Sequence, residues 1–210
     1  MSAAPIRRPV SNLGDFIKDM VKSLPDCTQP EMRMALRESA VEFCRDTGAF
    51  CGRLDPIDVV ANQLLYPMEV PYEAYIHTIK RVQMKAYAAD TRPRDLVPTE
   101  YDTEDGEPMS LFLTYEPVAD IAGGIIVTAT FVPYPDAEDF PAEFLNRWGP
   151  AIVCGALALK QGERGRAWSD PVKYQENYAR CRAGKSEAVI RRLNGGIAGS
   201  VDSKNPIPWL

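Results

Sequence analysis

Nine prolines punctuate the middle of this chain, at Pro56, Pro67, Pro71, Pro93, Pro98, Pro108, Pro117, Pro133 and Pro135. Each removes a backbone donor and clashes with the preceding helical turn. No long helix can therefore run through most of the span from about 54 to 135. Alternating apolar positions predict strands instead: Ile57, Val59 and Ala61, then Val82, Met84 and Ala86. The clearest strand is Ile125–Val132, β-branched almost throughout. Gly123-Gly124 before it reads as a turn joining it to a strand at Leu111–Tyr115. Tyr72, Tyr75, Ile76 and Ile79 have helical spacing, but the reading leans toward extended structure after Pro71.

Either side of this stretch the apolar period changes to that of a helix. Leu13, Phe16, Ile17, Met20, Val21 and Leu24 mark one buried face, capped by Ser11 or Asn12 and ended by Pro25. Thr28 and Glu31 form a capping box for a second helix. Its stripe is Met32, Leu36, Ala40, Phe43 and Thr47, and Gly48 supplies the stop. The short break predicts an antiparallel pair. A second pair opens near Pro141 with Asp139 as a possible cap, and Phe144, Leu145, Trp148, Ile152, Ala156 and Leu159 line it. Gly149-Pro150 predicts a kink or a delayed start. Gly155, Ala156 and Ala158 allow another backbone to come close. After Trp168-Ser169-Asp170-Pro171 a last helix starts with Ser169 as cap, carries Tyr174, Tyr178, Cys181, Lys185 and Ala188, and stops at Asn194-Gly195. The expected fold is α+β: an antiparallel bundle of about four helices, at about 12–48 and 140–194, bearing an inserted β-sheet or hairpin region.

The 210 residues suffice for one substantial core. A formal net charge of −5 argues against a global field that attracts nucleic acid. Apolar runs such as Ala156–Leu159 are too short to span a membrane, and MSAAPIRRPVSN lacks the apolar segment of a signal peptide. Synthesis and assembly in the cytoplasm are expected. The five cysteines are odd in number and share no CxxC spacing, which fits a reducing compartment. Cys44, Cys51 and the lone His77 fall short of the four ligands of a zinc site, so no metal is expected.

Three motifs invite a chemical reading. Glu100, Asp102, Glu104, Asp105 and Glu107 cluster around a turn at Asp105-Gly106 but lack the distal bidentate glutamate of a calcium loop, and read as a solvated loop. Ala183-Gly184-Lys185-Ser186 mimics the end of a phosphate-binding loop, yet Ala179 stands where the first glycine belongs, inside a helix. Lys173, Arg180, Arg182, Lys185, Arg191 and Arg192 make the last helix basic, but they spread around it, and Glu176 and Glu187 dilute them. They read as a solvated face or as inter-subunit salt bridges. The single histidine, and the lack of GxSxG, HExxH or a glycine-rich dinucleotide loop, give no recognisable catalytic set. Neither catalysis nor a cofactor is expected.

A series of weak elements follows in a fixed order: Leu24-Pro25, Ala35-Leu36-Arg37 with Glu42-Phe43-Cys44, and Gly106-Glu107-Pro108. Then come Phe131-Val132-Pro133-Tyr134-Pro135, Phe140-Pro141, Gly155-Ala156-Leu157-Ala158, and Trp168-Ser169-Asp170-Pro171 followed by Tyr174. Over Leu13 to Arg192 their order and spacing resemble the head-to-tail adaptor (connector) proteins of tailed bacteriophages. The Lys160–Arg166 connection is more polar and glycine-rich than that family's usual one. The resemblance implies a structural virion protein with one adaptor domain over 1–196. Such a protein forms a ring, usually of twelve identical subunits, between the capsid portal and the next tail or nozzle component. DNA would pass through without sequence-specific binding, and no membrane is involved. The −5 balance suggests a mainly acidic channel. A tail-completion or tail-tube ring protein is the alternative within the same machine, and a small hydrolase the alternative from another class.

Residues 197–210 hold too much Gly, Ser and Pro for regular structure, yet end in Ile207-Pro208-Trp209-Leu210. Such a tail either folds back on its own helices, frays, or reaches out. The resemblance implies an extended arm that inserts into the portal, with Ile197, Val201, Ile207, Pro208, Trp209 and Leu210 as its contacts. Trp209 and Leu210 would anchor it, and Pro206 and Pro208 would keep it extended.

Overall fold

The computed structural model describes residues 10–70, 73–104 and 109–193. In chain order the strands are β1 (Val10–Asn12), β2 (Cys51–Arg53), β3 (Ile57–Val59), β4 (Leu65–Pro67), β5 (Ala74–Met84), β6 (Arg94–Asp95), β7 (Tyr101–Glu104), β8 (Ser110–Leu113), β9 (Ile121–Pro133) and β10 (Asp139–Pro141). The helices are α1 (Ile17–Val21), α2 (Gln29–Thr47), α3 (Ala142–Gln161) and α4 (Pro171–Leu193), with a 3-10 turn at Leu13–Phe16. The chain divides into two units, Met1–Phe50 with Val132–Leu210, and Cys51–Phe131.

In the first unit α3 is the central helix. The aromatic rings of Phe43, Phe50, Phe140, Phe144 and Trp148 pack together against it, with Phe140 and Phe144 stacked at 5.8 Å. Small residues set how closely its neighbours come. A side-chain carbon on Gly149 would stand 2.5 Å from the Phe16 ring, and one on Gly155 would collide with the Ser39 hydroxyl of α2. One on Gly184 of α4 would lie 2.5 Å from the Ala151 side chain of α3. The Thr28–Glu31 capping box starts α2, and Gly48, at φ 59°, ends it in the left-handed conformation that glycine tolerates best. Pro150 is accommodated inside α3. β1 and β10 close the unit as a two-stranded antiparallel ribbon.

The second unit holds two sheets. β9 is the spine of the five-stranded one: β2 and β3 pair with one side of it, β5 with the other, and β6 with the end of β5. Nearly every residue of β9 from Gly124 onward is buried, which explains its continuous apolar sequence. The other sheet runs β4-β8-β7, with Leu65, Phe112 and Asp102 in one cross-strand row. Tyr66, Leu111 and Leu113 form its buried side.

Several expectations are corrected. The chain is not a helical bundle with an inserted hairpin, because its strands form three antiparallel sheets, one of them curled as a half-barrel. The strand pairing explains the error. Gly123-Gly124 is not a hairpin turn but a bulge within β9, where Gly123 takes φ 56° and its amide donates to Asp58 Oδ1 at 2.6 Å. β8 consequently pairs with β4 and β7 rather than with β9. The first helix is broken into a 3-10 turn and the five residues of α1; Leu13, Ile17, Met20 and Leu24 are buried as the period requires, but Phe16 is only half-buried and Val21 is 49% exposed. Asp139 belongs to β10 and does not cap α3. Asp170, not Ser169, caps α4, accepting from the amides of Val172 and Lys173 at 3.1 Å each. Tyr75, Ile76 and Ile79, by contrast, are extended within β5, as the reading after Pro71 expected.

Candidate functional site

The residues singled out for chemistry fall into ordinary structural roles. Lys185 does not face a nucleotide. Its ammonium lies 2.6 Å from Glu42 and 2.7 Å from Asp46, fastening α4 to α2, while Gly184 beside it permits the close approach to α3. Burial pulls the Lys185 ammonium down, but the hydrogen bonds to Asp46 and Glu42 together outweigh it and hold it above its ordinary value. The look-alike of a phosphate loop is thus a helix-packing motif.

The carboxylate cluster is spread out. Glu100 is tied to Arg94 and to the Val97 amide, which hold its carboxyl below the usual glutamate range. Asp102 and Glu104 are exposed on β7, and 105–108 lie outside the described residues. Cys44 is buried in α2, where desolvation pushes its thiol far up, and His77 is exposed on β5. Among the described residues no group of three or more potential ligands could hold a metal ion. No described helix is long and apolar enough to cross a membrane. The contacts expected of Ile197, Val201, Ile207, Pro208, Trp209 and Leu210 lie outside the described residues.

What the first unit does present is a helix packed along one side only. Asn177, Cys181 and Ala188 are the buried residues of α4. At 3.6 residues per turn the opposite side carries Val172, Ala179, Ala183, Ser186 and Ile190, all exposed, with Val172 at 69% and Ile190 at 59%. Arg182 lies on one flank of this strip, and Glu176, Glu187 and then Arg180 lie on the other. Neither these two arginines nor Arg191 and Arg192 have an ion-pair partner among the described residues. The sequence reading followed the opposite stripe of the helix and so missed this one. The signal was there as a spacing of seven, with apolar or small residues at Val172, Ala179, Ser186 and Leu193. A face of this kind suits a macromolecular neighbour rather than a small molecule, since it is convex and offers no converging polar groups.

No protein-family model matches the chain, and no curated protein matches its sequence.

Proposed function

We propose that this chain is a head-to-tail adaptor of a tailed bacteriophage, a structural subunit that assembles as a ring between the capsid portal and the tail. The observation that carries this reading is the ordered series of elements from Leu24-Pro25 to Trp168-Ser169-Asp170-Pro171, which spans most of the chain. The exposed, apolar outer side of α4 supports it, because a subunit of a ring must keep a face for its neighbour. In this reading the tail from Ile197 to Leu210 engages the portal.

The test is docking. Purified chain is mixed with tail-less heads that carry a portal, and bound protein is measured by sedimentation of the heads. The full chain is expected to bind at the portal vertex. A chain lacking Asn205–Leu210 is expected to remain folded and to lose attachment. Failure of the full chain to attach overturns the adaptor assignment, and unchanged attachment of the truncated chain overturns the role of the tail.

A further inference from the structure

Charge is not spread evenly along this chain. Between Cys51 and Phe131 there are thirteen Asp and Glu and six Lys and Arg, a formal −7 in a chain of −5. In α4 there are six Lys and Arg against Glu176 and Glu187, a formal +4. The four arginines of α4 have no ion-pair partner among the described residues. The overall balance therefore hides one cationic helix and one acidic unit.

The acidic unit has its own apolar exposed spot. On the solvent side of the β4-β8-β7 sheet, Leu65 and Phe112 are cross-strand partners, 42% and 39% exposed, in one row with Asp102. The next row on the same side is Pro67, Ser110 and Glu104. An apolar pair is thus edged by two carboxylates. The outer side of α4 is an apolar strip with Arg182 on one flank, while on the other Glu176 and Glu187 stand between the strip and Arg180. The dimensions agree as well. A three-strand row spans about 10 Å at roughly 4.8 Å per strand, and Ala179 to Ser186 spans about 10 Å at roughly 1.5 Å per residue.

We propose that the outer side of α4 docks on the solvent side of the β4-β8-β7 sheet of a second copy of this chain. Phe112 and Leu65 enter the shallow strip over Ala179, Ala183 and Ser186, where small side chains leave room. Arg182 meets Asp102 and Glu104, which share the β7 edge of the sheet. Nucleic acid is a poorer occupant, because phosphates reaching from Arg182 to Arg180 would have to cover the apolar strip and pass Glu176 and Glu187. Since the two surfaces differ, each copy in a pair keeps one surface unused, the sheet on one and the helix on the other, and the contact continues head to tail until it closes. Only that closure rests on the ring reading above.

The experiment is sedimentation velocity of the full chain and three variants, over concentrations up to the solubility limit and at low and high salt. The wild type is expected to self-associate, less so at high salt. Ala183→Glu puts a carboxylate against Asp102, and Phe112→Lys puts an ammonium against Arg182. Each is expected to weaken association about tenfold or more. Both sites are at the surface, so unchanged thermal melts show that the fold is intact. The chain carrying both changes is expected to associate more tightly than either single variant, because Glu and Lys then face each other. A wild type that stays monomeric overturns the contact, as do single variants that associate like the wild type or a double variant with no recovery. Salt-sensitive binding of a duplex oligonucleotide by a monomeric wild type, lost in Arg182→Ala, assigns the helix to nucleic acid instead. Association that persists in both single variants leaves the ring reading standing. The expected pattern in a chain that never attaches to heads sinks the adaptor reading and leaves this contact in place.

Discussion

Ser39 occupies the space that Gly155 leaves empty. Its hydroxyl donates to the Ile152 carbonyl at 2.7 Å, across the α2–α3 contact, and any side chain on Gly155 would collide with it. Gly155→Ala gains about 1 kcal/mol of helix propensity, but overpacking at a close contact costs roughly 1–3 kcal/mol. The collision should win, because the added carbon also comes within 3.1 Å of Cys181 Sγ. Urea unfolding is expected to show a net loss of stability. In a Ser39→Ala background the loss should shrink, since the nearest remaining Ser39 atom is then a carbon at 3.4 Å. Equal losses in both backgrounds would refute the packing account.

Lys185 makes a different prediction. Its side chain is 19% exposed and serves two carboxylates on α2 that are each about half exposed. Lys185→Met keeps the stem and removes the charge, leaving Glu42 and Asp46 to repel each other. Exposed ion pairs contribute only about 0–1 kcal/mol each, so a loss of about 1 kcal/mol is expected, and salt should reduce the difference from the wild type. A loss several times larger at high salt as well as low would mean that packing of the stem, not charge, fastens α4.

These two contacts show where the sequence was legible. The buried stripes of α2 and α3, the Thr28–Glu31 cap and the Gly48 stop follow from local rules, and the residues concerned lie where those rules put them. Gly123 was misread because a glycine pair before a β-branched run signals a turn or a bulge equally well. Only the pairing of β3 with β9, remote in sequence, decides between them. The error then moved β8 into the wrong sheet. The short α1 has a similar cause: the period of Leu13, Ile17, Met20 and Leu24 is right, but burial on one side does not distinguish a 3-10 turn from an α-helix. The outer strip of α4 is masked in the sequence by Tyr174 and Tyr178, whose large rings mark the opposite stripe as the buried one, although Tyr178 is 46% exposed.

Thiol labelling separates the cysteines by the same logic of burial. Cys44 is fully buried and its thiol is pushed far up by desolvation, while Cys27 and Cys154 are half-buried with thiols raised less. The thiolate is the reactive form, and both exposure and ionisation favour the latter two. Mass spectrometry after brief treatment with a maleimide at neutral pH should find Cys27 and Cys154 modified first, and Cys44 only after unfolding. Early modification of Cys44 would show that α2 opens in the native protein.

The acid limb of stability should belong largely to Glu138. Its carboxylate accepts from Arg33 Nη1 at 2.8 Å and from Arg37, both on α2, and lies within 3.5 Å of the Asn12 amide, so it joins α2 to the segment leading into β10. The Arg33 guanidinium holds the carboxyl below the usual glutamate range, opposed by partial burial and aided by Arg37 and Asn12. A lowered folded value means that the unfolded chain binds the proton more readily. The contribution is therefore complete above the ordinary glutamate value of about 4.3, and it drains away as pH falls from there through the lowered folded value. Glu138→Gln keeps the shape and abolishes the titration. It should destabilise at pH 7 by about 1.5–3 kcal/mol, the range for a hydrogen bond to a charged group. Between about pH 5 and pH 3 the wild type should lose stability faster than the variant, so that the two curves converge. Parallel curves across that window, measured by urea unfolding at each pH, would place the acid sensitivity in other carboxylates.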